Sequence, residues 1–408
     1  MADLTIRAAM NDHLVVESLL VPSSVPRLHG ARAPIGRLVA DAHVARARPM
    51  LAELSSAAGV PYLVDPETPF LQVEVAGDDP WAKLPYATAD RLSAGTVAVH
   101  DLVAKVVEFQ LEMGATTIIP PYFYASSPTD PWFFLSLHAL DETAEYLRRN
   151  DVRLSVQPVL CAQLRSFGTH LAWPVGVDRF VERARDSGAS ALALYFSPAG
   201  KGKDSYGKVR GLFDVSRHVK DSQIRTVAWR QGVYGAALVA AGLDGYECGM
   251  GTAEQSDVSA RQSARKPKPD ERRSGGGAPG IFLEPLGRSV PRAAGLALLG
   301  DPSMRPKVMC DGGDVCCSSP KVTIDRPREH AVRSRARFLA TIAEQPATRW
   351  RLHHIAQETK AAVTLATQAN RVLDRVNTTK TRIGVQGLDA LARVAAELSE
   401  RAAGGRSA

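Results

Sequence analysis

The stretch IRTVAWRQGVYGAALVAAGLDGYECGMGTAEQSD, Ile224 to Asp257, decides the fold. Ile224 to Trp229 is a short apolar run that Gly232 interrupts. Ala236 to Ala241 are good helix formers closed by Gly242, a residue type that ends helices. Leu243 to Cys248 reads as a second buried strand carrying a carboxylate, Glu247, near its C-terminal end. Strand, helix and strand in that order predict a parallel pair. A carboxylate on a buried parallel strand is best tolerated at the C-terminal edge, where α/β barrels keep their chemistry. Glu247 is therefore the leading catalytic candidate.

The same alternation extends in both directions. Strands are expected at 4–9, 61–65, 116–121, 153–159, 190–196, 224–229 and 243–248, with an eighth near 281–284 or 306–310. The stretch from Arg37 to Ala58 reads as basic and helical. So many units predict an α/β chain closed into a (β/α)8 TIM-like barrel over residues 1–300. Residues 301–408 read as a smaller helical region carrying a metal site. Residues 257–280 (DVSARQSARKPKPDERRSGGGAPG) cannot bury apolar surface, and they read as a disordered basic insertion at the barrel mouth.

Composition sets wider limits. With 408 residues and 45% apolar content the chain can bury a large core. No apolar run is long enough for a membrane span, and the N-terminus lacks the pattern of a secretion signal, so a cytoplasmic protein is expected. A net charge of +7 favours a polyanionic partner. Three of the five cysteines crowd into Cys310, Cys316 and Cys317, with His330, His353 and His354 downstream. Three thiols and an imidazole form a tetrahedral structural zinc set. Asp65, Gln157 and Glu247 each stand at or near the end of an apolar run, which a barrel would gather at one rim; two converging carboxylates there could serve as nucleophile and general acid/base. Trp229 closes a neighbouring run and could stack on a base.

These residues resemble a known family. GLDGYECGMGT (242–252) is similar to the segment of tRNA-guanine transglycosylases that carries the nucleophilic aspartate, with Glu247 at that position and Asp244 and Cys248 matching its neighbours. YLVDPETPFLQ (62–72) resembles the segment of the second catalytic aspartate, here Asp65, and SVQPV (155–159) the strand whose glutamine reads guanine, here Gln157. The resemblance implies a base-exchange transglycosylase that replaces guanine in tRNA or DNA with a 7-deazaguanine. Glu247 would be the nucleophile and Asp65 the acid/base, with Gln157, Asp244 and Trp229 at the base. It also implies a structural zinc on Cys310, Cys316, Cys317 and His353, and a homodimer is compatible with it. Two other readings fit the same residues: a nucleic-acid-binding barrel without catalysis, and a small-molecule barrel lyase or hydrolase.

Overall fold

A computed structural model describes residues 3–21, 35–88, 90–167, 173–200, 202–220, 222–250, 254–267, 279–310, 319–376 and 382–404. Its centre is one parallel sheet of nine strand segments: β1 (Asp3–Ala8), β2 (Ile35–Asp41), β3 (Tyr62–Asp65), β4 (Thr117–Ile118), β5 (Ser155–Val156), β6 (Val159–Gln163), β7 (Ala191–Ser197), β8 (Arg225–Ala228) and β9 (Gly245–Gly249). They lie in the order β5-β4-β3-β2-β1-β9-β8-β7-β6. The two outermost segments are halves of one stretch of chain, separated only by Gln157 and Pro158. Proline has no N–H to give a ladder, so the strand is interrupted there. The hydrogen bonding continues across the gap: Gln157 N donates to Ile118 O at 2.9 Å, and Ala193 N donates to Pro158 O at 2.9 Å. The sheet thereby curls back on itself, as in a TIM-like barrel.

Side chains alternate across this wall. On β1, Leu4, Ile6 and Ala8 pack outward into the large cluster shared with the helices, which leaves Thr5 and Arg7 for the interior. A separate inner cluster holds Val39, Leu63, Ile119, Val159, Ala193, Val227 and Trp229. An inner core distinct from the shell is what a closed or nearly closed sheet requires.

The shell consists of α1 (His13–Leu20), α2 (Ala42–Ala47), α3 (Met50–Ala57), α4 (Val99–Glu112), α5 (Pro131–Arg149), α6 (Leu164–Phe167), α7 (Trp173–Asp186), α8 (Tyr206–Lys220) and α9 (Gly235–Ala240). After β9 come α10 (Val258–Arg265), an antiparallel hairpin of β10 (Ile281–Leu283) and β11 (Arg288–Val290), then α11 (Arg292–Gly300), α12 (Arg305–Val308) and α13 (Pro320–Asp325). Three long helices close the chain: α14 (Pro327–Glu344), α15 (Thr348–Val376) and α16 (Gln386–Gly404). Helix α14 touches α9, α1 and β1, and its Val332, Ala336, Leu339 and Ile342 belong to the barrel's outer cluster. It fills the place between α9 and α1 outside the paired last and first strands, so the chain beyond 301 completes the barrel's shell.

Two sequence expectations change. Residues 35–41 are a strand, where a helical stretch was expected from Arg37; their alternation is masked because the inward positions carry Arg37 and Asp41. Of the two positions expected for the eighth strand, 281–283 pair with 288–290 outside the barrel and Arg305–Val308 is helical, so Glu247 lies on the last wall strand. The first part of the basic segment is helix α10, capped by the Asp257 carboxylate accepting from Ala260 N at 3.0 Å. No helix among the described residues is long and apolar enough to cross a membrane.

The junction of the last and first strands gives a direct test. A Cβ on Gly245 would lie 2.5 Å from the backbone oxygen of Asp3, which cannot move without breaking the β1–β9 ladder. Gly245→Ala should cost about 1–3 kcal/mol in urea unfolding. Gly211→Ala, mid-helix in α8 with open space around it, should add about 0.5–1 kcal/mol.

Candidate active site at the C-terminal mouth

Arg7, an inward side chain of β1, is 4% exposed, so its charge needs partners from within the chain. These come from three strand ends. Arg7 Nε and Nη2 donate to the two oxygens of Glu247 at 2.9 and 3.0 Å, a bidentate pair. Arg7 Nη1 meets Asp65 Oδ2 at 2.9 Å and donates to Asp41. Its guanidinium lies 5.0 Å from the centre of the Trp229 ring, a cation–π contact. Asp41 and Asp65 are register partners on β2 and β3, which is why one arginine reaches both.

A second arginine follows β8. Arg230 has φ of 53°, a left-handed conformation rare for a side chain of its size. That turn aims its backbone N–H at Glu247 Oε2, 2.9 Å away. Its Nη2 donates to Asp41 Oδ1 at 2.6 Å and to Asp65 Oδ2 at 3.2 Å. Asp65 Oδ1 also accepts from the Tyr122 hydroxyl at 2.8 Å and from Glu67 N at 3.0 Å. Glu67, at φ 52° and buried, faces His43 Nδ1 at 3.2 Å.

Helix α10 covers this mouth. Val258 enters the inner cluster, and Gln262 Nε2 donates to Pro69 O at 2.7 Å. Arg261 donates to Glu67 and lies 3.7 Å from Asp41 Oδ2; Arg265 bridges Asp79 and Glu67. The basic helix thus turns its arginines inward on carboxylates, where a phosphate-contacting arm would present them to solvent. For Glu67, burial and the adjacent Asp41 push the carboxyl up. Arg261, Arg265 and the hydrogen bond to His43 outweigh them and bring it down to about 2. Burial likewise opposes the charge on Asp41, but Arg230, Arg7 and Arg261 hold it well below the usual carboxylate range.

Of the residues singled out in the sequence, Glu247, Asp65 and Trp229 meet at this mouth. Gln157 is also inward, but it accepts from Arg37, four residues before Asp41 on β2 and deeper in the barrel. Asp244 lies at the opposite end of β9, where its carboxylate accepts from Thr226 N at 2.7 Å and knits two strands together. Cys310 is buried and His353 is exposed on α15, beside Gln357. Cys316 and Cys317 lie outside the described residues, as does 268–278. Sequence reading missed Arg7, Asp41, His43, Glu67 and Arg230. A signal was present in Asp41-Ala-His43 and Asp65-Pro-Glu67, the same two-residue spacing after two strands. Asp41, His43 and Glu67 each offer one ligand atom within 4.8 Å of the others, a donor set able to hold a divalent cation.

No family model matches the chain, and no curated protein matches it. Among solved structures it is similar to a protein described as a phosphonomutase from Burkholderia cenocepacia J2315, at 15% identity over 60% of this chain and 86% of that one, TM-score 0.33. It is also similar to the carboxyl transferase domain of Rhizobium etli pyruvate carboxylase with pyruvate, at 10% identity over 98% of this chain and 61% of that one, TM-score 0.34. The chain thus spans about three-fifths of the latter. Likeness at these scores carries no argument about chemistry. The resemblance to tRNA-guanine transglycosylases, with the glycosyltransferase activity and nucleic-acid substrate it implied, does not stand. No family model and no curated protein supports it, and the solved structures found bear other descriptions.

The charge pairing predicts an acid limit. A carboxyl depressed by folding contributes stability above its unfolded value, and that stability is lost as pH falls through the folded value. For Glu67 the window runs from the ordinary 4.5 down to about 2. Circular dichroism against pH should show unfolding within that window, and in Arg261→Met the transition should move to higher pH.

Proposed function

We propose that the chain is a small-molecule barrel enzyme, a lyase or hydrolase, with its chemistry at the C-terminal mouth. The observation that carries this reading is the convergence of Asp65 and Glu247, from strands far apart in sequence, on the single guanidinium of Arg7. A barrel closed only for stability would fill this layer with apolar side chains, because replacing a buried ion network by well-packed hydrophobic groups is often neutral or stabilising. Two carboxylates oriented by shared arginines can divide acid and base roles between them once a substrate displaces part of the pairing. Glu247, fixed on both oxygens, suits the group that keeps its place. Asp65, which accepts from the Tyr122 hydroxyl, has a route for a proton to or from the reacting centre. Burial of the network and the inward aim of Arg261 and Arg265 favour a small substrate over a polymer.

The test is a panel of small carboxylic acids and phosphate esters incubated with the chain in deuterated buffer, read by proton NMR for bond cleavage or exchange of carbon-bound hydrogen. A substrate should appear whose turnover falls about 100-fold or more in Glu247→Gln and in Asp65→Asn. Turnover unchanged in both folded variants would remove these carboxylates from the reaction.

A further inference from the structure

The mouth sets a carboxylate-rich side against two buried donors that lack acceptors among the described residues. On the acidic side, Asp41, Asp65, Glu67 and Glu247 share Arg7, Arg230 and Arg261, whereas Arg265 divides itself between Glu67 and Asp79. The ligand atoms of Asp41, His43 and Glu67 lie within 4.8 Å of one another. The cations between the two carboxylates are the chain's own: Arg261 Nη2 is bonded to Glu67 Oε1 and stands 3.7 Å from Asp41 Oδ2, and Arg230 Nη2 lies 2.6 Å from Asp41 Oδ1 and 3.5 Å from Glu67 Oε1. On the basic side, Trp229 Nε1 and Arg230 Nε have no acceptor among the described residues. Both residues are more than nine-tenths buried, at 0% and 4% exposure. Buried donors left without acceptors are unfavourable, and successive residues at one strand end share this shortfall.

We infer that the mouth binds a divalent cation on Asp41, His43 and Glu67 together with an oxyanion of the substrate held by Trp229 Nε1 and Arg230 Nε, and that each ligand raises the affinity of the other. The coupling follows from charge. An anion alone adds to four carboxylates, and a cation alone meets the guanidiniums of Arg230 and Arg261. The pair enters nearly neutral. One imidazole and two carboxylates suit Mn2+ or Mg2+ better than a thiophilic ion. Entry requires Arg261 to leave the space between Asp41 and Glu67 and Arg230 Nη2 to turn away from both. Helix α10 can stay, anchored by Val258 and by the Gln262 bond to Pro69. The inference deepens the small-molecule reading and rests on the same mouth, but binding does not require turnover.

Electron paramagnetic resonance titration of Mn2+ into the full chain tests it, with acetate and sulfate as the planar and tetrahedral anion probes. One Mn2+ site per chain is expected, its affinity rising about tenfold with the preferred probe, as for a typical coupling between sites. Asp41→Asn combined with Glu67→Gln should abolish Mn2+ binding. Trp229→Phe should keep Mn2+ binding and lose the anion effect, and Arg261→Met should bind Mn2+ more tightly. Thermal unfolding of each variant separates a lost site from a lost fold. Absence of Mn2+ binding, binding that survives the double carboxamide variant, or an anion effect unchanged in Trp229→Phe would overturn the inference. Coupled binding without turnover of any small molecule would sink the enzyme reading and leave this one standing; turnover without Mn2+ binding would do the reverse.

Discussion

Everything at the mouth of this barrel depends on one guanidinium. Arg7 is buried, and Glu247, Asp41 and Asp65 hold its charge against the desolvation that opposes it. Each of those carboxylates comes from a different strand, so satisfying Arg7 means bringing β1, β2, β3 and β9 to one level. A buried arginine with one partner missing would be costly, which makes the network cooperative: it forms whole or not at all. The strand register and the ion network are thereby two expressions of the same arrangement.

That arrangement explains the backbone around it. Arg230 and Glu67 adopt left-handed conformations although neither is glycine, and both are bonded into the network. The hydrogen bonds and ion pairs that Arg230 N–H and the Glu67 carboxylate make there offset the strain. Helix α10 serves the same network from above. Its Arg261 and Arg265 complete the coordination of Glu67 and Asp41, so these two charges answer an internal need, and they say less about partners than composition suggests.

The shell shows a comparable economy. The last wall strand, β9, is followed by more than seventy residues, whose described parts include short helices and a hairpin, before α14 takes the place between α9 and α1. The hairpin builds its own small core with α15 through Ile281, Leu283, Ala366 and Leu373. An insertion at this point leaves the wall intact because β9 already pairs with β1 through its own backbone. Helix α14 then needs only an apolar face to dock, which Val332, Ala336 and Leu339 provide.

By itself the sequence determined the class of fold, since short apolar runs alternating with helices have few other solutions. It also marked Asp65 and Glu247, because a carboxylate on an apolar strand is legible wherever it falls. It could not show β2, whose inward positions carry Arg37 and Asp41 and so lose the apolar signature of a buried strand. With β2 hidden, Asp41 and His43 were hidden too, and the count was completed with 281–284 or 306–310, which hold a hairpin strand and part of the short helix α12. Only the tertiary structure decided what the carboxylates face. Arg7 and Glu247 are 240 residues apart, and no local pattern records their bond. Pairing between buried charges is set by strand register and closure of the wall, which are properties of the assembled sheet.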